Sequence, residues 1–210
     1  MAGTTGQILH RAAGYDLLVW LITRGRERTF RERLIALARA QPGESILDVG
    51  CGTGSLAITA KRQVGAAGIV CGIDASPEMI ARATRKARKS GLEVVFQQGL
   101  AEALPFPDAR FDVALSTVML HHLPRSARQA CVREMRRVLK PGGRVLAVDF
   151  DAPAHARRSL MSHFHRHGHT KPEDLVAVLT GAGLDRIDSG SVGVGDLHYV
   201  LAIRPTEDGR

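Results

Sequence analysis

The chain has 210 residues, 44% hydrophobic but only 4% aromatic, and a formal net charge of +8. That length suits one α/β domain with a core of Leu, Val, Ile and Ala, and the longest apolar run, "LLVWLI" at 17–22, is far short of the roughly 18 residues that suggest a membrane span. The N-terminus shows no basic segment leading into an apolar core. The three cysteines, Cys51, Cys71 and Cys131, make neither a disulfide framework nor a CxxC metal pair, so a cytoplasmic protein is expected.

Thr29 and Glu32 suggest a capping box for a helix over about 30–40, ended by Pro42-Gly43. "SILDVG" reads as a buried strand, followed by a glycine loop and a helix from Ser55 to Gln63. "GIVCGID" is a second strand. Ser76-Pro77-Glu78 is a helix start with Ser as N-cap and Pro at the first helical position, and Lys89-Ser90-Gly91 is its stop. "EVVFQQ", "FDVALSTV" and "RVLAVDF" are the third, fourth and fifth strands. The helix between the last two is expected from Ser126 to the stop-and-turn signal "KPGG" at 140–143. Thr170 to Glu173 opens another helix, closed by "GAG" at 181–183, and "LDRIDSGSV" and "LHYVLAIR" form a final antiparallel hairpin.

Strands alternating with helices imply a doubly wound, mostly parallel sheet, here seven-stranded with the hairpin at one edge. One domain over 1–210 is expected, with 1–28 as an N-terminal helical lid and 152–170 as a substrate-covering segment. The net charge is compatible with a nucleic-acid or anionic-membrane partner. The basic residues nevertheless follow helical periodicity: Arg82, Arg85, Lys86 and Arg88, and Arg128, Arg133, Arg136 and Arg137, read as solvated faces of amphipathic helices.

The chemistry centres on "ILDVGCGTGSL" at 46–56. Gly50, Gly52 and Gly54 read GxGxG, with Ser55 where the dinucleotide fingerprint has its third glycine. No Lys-Ser or Lys-Thr follows, so a triphosphate loop is also unmatched. Asp48 ends the first strand, where its carboxylate repels a pyrophosphate and attracts an ammonium group. Asp74 ends the second, a usual place for a carboxylate that accepts from ribose hydroxyls. The loop thus suits a nucleoside with a ribose, a cationic end and no phosphate.

S-adenosylmethionine meets that description. With "GIDASPEMI" (72–80), "LAEALPFPDARFDVALSTVMLHHLP" (100–124) and "REMRRVLKPGGRVLAVDF" (133–150), the chain resembles the class I S-adenosylmethionine-dependent methyltransferases. Within them it resembles the small-molecule group that includes the ubiquinone/menaquinone C-methyltransferases. The resemblance implies that Asp48 faces the methionine amine and that Gly50, Cys51, Gly52, Thr53 and Gly54 bring backbone close to the cofactor. It implies Asp74 on the ribose with Ala75 beside the adenosine, Leu100 and Ala101 in the adenine segment, and Thr117 with Ser116 near the methionine end. The family often has Asp or Asn where Leu100 stands. Leu cannot accept from the adenine amino group, so recognition there falls to backbone near Ala101 and to packing.

His121 and His122 follow the fourth strand and are the candidates for a base or for orienting an acceptor oxygen, against a plain role in the pocket wall. His163, His165, His167 and His169 alternate in "HFHRHGH" without an acidic or cysteine partner beside them, and no metal is expected. The chain lacks an [ND]PPY-like motif and has no asparagine, which disfavours nucleobase N-methylation and a magnesium-dependent catechol site. A small-molecule acceptor remains: a quinol or phenol, a hydroxyl, an amine or a lipid head group. RNA methylation and a non-catalytic, cofactor-binding regulatory or scaffold role are the alternatives, with an NAD oxidoreductase behind them.

Overall fold

A computed structural model describes residues 27–150 and 171–206. The expected lid over 1–28, save Glu27 and Arg28, lies outside the described residues, as do the 152–170 segment and the 163–169 histidine run.

Helix α1 (Glu27–Leu37) leads into β1 (Ser45–Val49), α2 (Ser55–Val64), β2 (Ile69–Asp74), α3 (Pro77–Lys89) and β3 (Val95–Gln98). Then come β4 (Phe111–Thr117), a 3-10 turn (Leu120–His122), α4 (Arg125–Val138), β5 (Leu139–Phe150), α5 (Pro172–Gly181), β6 (Asp185–Ser191) and β7 (Leu197–Ile203). The strands form one sheet in the order β3-β2-β1-β4-β5-β7-β6. β1 through β5 pair parallel, while β7 pairs antiparallel with β5 and with β6. The expected doubly wound sheet with its terminal hairpin is therefore present. The order reverses between β1 and β4, the place where an open parallel sheet forms a ligand crevice beyond the strand ends.

Alternation along the strands splits the core into two layers. On one face Ile46, Val70, Val113, Leu115 and Val148 pack with Phe30, Leu34 and Ile35 of α1 and with Leu56, Ala57 and Ala60 of α2. On the other, Leu47, Val49, Ile73, Ala114 and Ala147 pack with Cys131, Val132 and Met135 of α4 and with Leu175 and Leu179 of α5. Because both faces are buried, β1, β4 and β5 read as near-continuous apolar runs. Any polar residue inside them must find a partner or a ligand.

Ser76 caps α3 as expected: its Oγ accepts from the Met79 amide at 3.3 Å, with Pro77 next. Three other local expectations fail. α1 begins at least two residues before Thr29, so Thr29 and Glu32 lie inside the helix and form no capping box. α4 starts at Arg125 behind Pro124, with no side-chain cap, and Ser126 sits within it. "KPGG" does not separate helix from strand. α4 ends at Val138 and β5 starts at Leu139, paired to Phe111, with a register shift before Val113 that absorbs the two glycines.

The basic residues of α4 are also not simply a solvated face. Arg137 donates to the Leu104 and Phe106 carbonyls, Arg136 to Gly183 and Arg128 to Leu120 and Leu123. Arg204 in turn donates to the Arg136, Arg137 and Leu139 carbonyls at the end of α4. Part of the positive charge thus holds loops and helix ends in place rather than forming an open surface for a polyanion.

Candidate functional site

Asp48, Asp74 and Thr117 fall on the α1/α2 face at the carboxyl ends of three adjacent strands, since they alternate with Ile46, Val70 and Leu115. Ser116, one residue earlier in β4, falls on the opposite face with Ala114. The sequence candidates therefore come to one sheet edge, with Ser116 turned away from the two carboxylates.

Asp48 is 2% exposed, and its Oδ2 has no hydrogen-bond partner. Burial pushes its carboxyl up to about 7. A hydrogen bond from the Ala57 amide, in the first turn of α2, pulls the other way, and the charge of Asp74 pushes up again. The Ser116 and Thr117 hydroxyls are likewise buried without a partner. Buried polar atoms normally find partners, so a carboxylate oxygen and a hydroxyl left open on one face mark a place for an external donor. A cation satisfies Asp48; an anion makes its position worse.

The glycine loop is self-satisfied. The amides of Gly50 and Cys51 both donate to the Ile73 carbonyl, at 2.8 and 2.9 Å, and Gly54 donates to Cys51 at 2.9 Å. Gly52 donates to Asp74 Oδ2 at 2.9 Å, and Ser76 donates to Asp74 Oδ1 at 2.9 Å. A phosphate-binding loop instead aims such amides at its ligand. Asp74 keeps acceptor capacity on both oxygens beyond these two bonds. Burial pushes its carboxyl up, opposed by the same two amides.

Two of the glycines are also required by the packing of the protein itself. A Cβ on Gly50 (φ +73) would stand 2.4 Å from Met119 Cγ, and one on Gly54 (φ +76) 2.6 Å from Phe96 Cζ and 2.7 Å from Ala83 Cβ. The protein itself fills that space. Cys51 is buried, its thiol pushed well above the usual range by burial, and it packs under the loop. The sequence offers no Lys beside this loop, yet α3 brings one: Lys86 Nζ donates to Thr53 Oγ1 at 2.9 Å and to Ser55 Oγ at 2.7 Å.

Ala75 follows Asp74, and its carbonyl accepts from Gln98 at 3.2 Å. Leu100 and Ala101 follow β3 beside it and are half-buried, Ala101 packing against the α4/α5 core. The Gly99 amide donates to the Asp74 carbonyl at 3.0 Å, so this segment is tied to the end of β2.

Beyond β4 the chain turns sharply. Val118 has φ +53, a left-handed conformation that is rare for a β-branched residue, and its amide donates to Val148 at 2.8 Å. The 3-10 turn carrying His121 and His122 follows, braced by Arg128 on the Leu120 and Leu123 carbonyls. His121 Nδ1 lies 2.6 Å from Asp149 Oδ1, the His121 amide donates to Asp149 Oδ2 at 2.9 Å, and the Phe150 amide donates to Oδ1 at 2.9 Å. The His122 ring sits 3.8 Å from that of His121, and Phe150 meets His121 edge-on at 5.6 Å. Asp149 is fully buried on the α4/α5 face, and His198 of β7, 6% exposed, stands directly across from it. Sequence reasoning found the two histidines but missed Asp149. The available signal was a carboxylate near the end of the fifth strand, the same signal that singled out Asp48 and Asp74.

Residues 46–143 match the family model of a methyltransferase domain. A demethylmenaquinone methyltransferase of Thermus thermophilus is 39% identical over 142 residues, 68% of this chain and 63% of that protein. A ubiquinone/menaquinone biosynthesis C-methyltransferase, UbiE, of Shewanella frigidimarina is 36% identical over 146 residues, 69% of this chain and 57% of that protein. The chain thus spans less than two thirds of these relatives. Among solved structures, a SAM-dependent methyltransferase of Aquifex aeolicus superposes with a TM-score of 0.75 at 22% identity, covering 92% of this chain and 97% of that one.

Proposed function

From its membership of the class I S-adenosylmethionine-dependent methyltransferases, within which it resembles the ubiquinone/menaquinone C-methyltransferases, we propose that this chain transfers a methyl group from S-adenosylmethionine to a small-molecule acceptor. The observation that carries this reading is the open Oδ2 of buried Asp48, with the Thr117 hydroxyl open on the same sheet face. The methionine ammonium of the cofactor supplies the hydrogen-bond donor that Asp48 Oδ2 lacks. Thr117 accepts or donates beside it, with Ser116 behind the strand. Asp74 accepts from the ribose hydroxyls, Ala75 flanks the adenosine, and Leu100 and Ala101 wall the adenine. Gly50, Cys51, Gly52, Thr53 and Gly54 shape the floor by close approach rather than by donated amides.

When bound, the cofactor supplies a methyl group already activated by a positive sulfur. The protein's remaining work is to align the acceptor, exclude water and take a proton where the acceptor carries one. His121 and His122 stand on the turn beyond β4, past Thr117, and serve that acceptor side. Among the described residues no helix is long and apolar enough to cross a membrane, and no group of three His, Cys, Asp or Glu side chains suits a metal ion.

A turnover screen with S-adenosylmethionine carrying a labelled methyl group, over hydroquinones, phenols, alcohols, primary amines and phosphatidylethanolamine, tests the reading. Transfer of label to one class is the expected result. Transfer only to RNA would replace the small-molecule acceptor, and tight cofactor binding with no transfer to any acceptor would favour a non-catalytic role.

A further inference from the structure

Resting on the methyl-transfer reading, we propose that Asp149 is a positioning residue that holds the His121 imidazole as its Nδ1–H tautomer, so that the bare Nε2 of His121 is the proton acceptor of the reaction.

The geometry leaves the ring little choice. Both carboxylate oxygens of Asp149 already accept main-chain amides, Oδ1 from Phe150 and Oδ2 from His121, each at 2.9 Å. The same Oδ1 lies 2.6 Å from His121 Nδ1, a distance that suits a charge-assisted bond to an acceptor-only group. Nδ1 therefore carries the hydrogen, and in the neutral imidazole Nε2 is then the lone-pair nitrogen. Asp149 bonds the ring and the backbone of the same residue, which fixes both the position of His121 and the direction in which Nε2 points. The ring plane is held further by His122 at 3.8 Å and Phe150 at 5.6 Å, and the turn beneath it by Arg128. Asp149 is fully buried and His121 is 13% exposed at its side chain, so of the two it is the histidine that can meet an acceptor.

The assignment narrows the acceptor. A hydroxyl or phenol oxygen must lose its proton as its lone pair forms the new bond to the methyl carbon. The carbon–sulfur bond breaks with its electron pair returning to sulfur, the proton passes to Nε2, and the resulting imidazolium rests against the Asp149 carboxylate until it releases a proton to solvent. An aromatic amine, uncharged at neutral pH, needs no such base, because it attacks with its free pair and sheds its proton afterwards, whereas an alkyl amine must first lose its ammonium proton. The His121–Asp149 pair therefore serves an acceptor whose attacking atom holds a proton of low acidity, hydroxyls and phenols foremost.

Long-range 1H–15N correlation spectra of the full chain labelled with 15N-histidine, at about pH 8, above the usual histidine range, read the tautomer without any reaction. The His121 signal is identified by its loss in His121→Gln. The expected result is an Nδ1–H, Nε2-bare pattern in the unaltered protein and a shift toward the Nε2–H form in Asp149→Ala. An Nε2–H pattern in the unaltered protein, or the same pattern with and without Asp149, overturns the proposal. The unaltered protein decides the first point even where the alanine variant does not fold. Calorimetric binding of S-adenosylmethionine to Asp149→Ala is expected to match the parent, and its loss in both would count against the methyl-transfer reading while leaving the tautomer result standing. With a hydroxyl acceptor that turns over, kcat of Asp149→Ala is expected to fall by about 10²-fold or more at unchanged KM; an equal fall with an aromatic amine, which carries no ammonium proton at the assay pH, overturns the base assignment.

Discussion

Asp48→Asn separates stability from binding. The substitution keeps the shape of a 2% exposed side chain and removes its charge. In the folded chain burial raises this carboxyl from 3.8 to about 7, so the folded state holds a proton that the unfolded state releases near pH 4. Between those two values the unfolded chain binds fewer protons, and stability falls as pH rises. Below about pH 4 the penalty is absent; above about pH 7 it is complete, at most about 4 kcal/mol for a shift of roughly three pH units. The asparagine variant escapes that penalty. Denaturant unfolding without ligand is expected to show it more stable than the parent at pH 8 and equal to it near pH 4. Binding moves the other way. Loss of a charge-assisted bond to the cofactor ammonium, about 1.5–3 kcal/mol, weakens S-adenosylmethionine roughly 10- to 100-fold. In the parent, affinity rises between about pH 5.5 and 7 as Asp48 ionises, and the variant loses that slope. A variant that is less stable at pH 8 and binds as tightly as the parent would rule out this role for Asp48.

Gly50→Ala places a Cβ 2.4 Å from Met119 Cγ at φ +73 and is expected to destabilise the fold by about 1–3 kcal/mol, measured by urea unfolding. Ser76→Ala removes the cap of α3 and is expected to cost about 1 kcal/mol in the same assay. Arg128→Ala releases the Leu120 and Leu123 carbonyls under the histidine turn; turnover is expected to fall while calorimetric affinity for S-adenosylhomocysteine stays unchanged. Cys51 is expected to resist thiol reagents in the native protein and to react only on unfolding, because burial keeps its thiol protonated.

The sheet was legible because its strands are short apolar runs bounded by Gly, Pro and caps, and because β1 and β2 end in carboxylates that no apolar core tolerates without cause. Ser76-Pro77 announced α3 through chemistry that acts over four residues. Where reading failed, the deciding contact was distant in sequence. Asp149 gains its meaning from His121, 28 residues earlier, which lies just beyond the turn that Val118 enters in a left-handed conformation. Lys86 reaches the glycine loop from 33 residues away, and the arginines of α4 look like a solvated face until the Leu104–Phe106 loop folds over Arg137. "KPGG" is a turn signal that tertiary pairing with Phe111 drew into a bulged strand. Two glycines of the loop are crowded by Met119 and Phe96, which come from other parts of the fold.

A crevice for a cationic nucleoside without phosphate discriminates among ligands that isothermal titration calorimetry of the full chain can compare: S-adenosylmethionine, S-adenosylhomocysteine and NADH. Binding of the first two, weakening of both by Asp74→Ala, and no binding of NADH are expected. Tight binding of NADH with none of S-adenosylmethionine would rule out such a crevice.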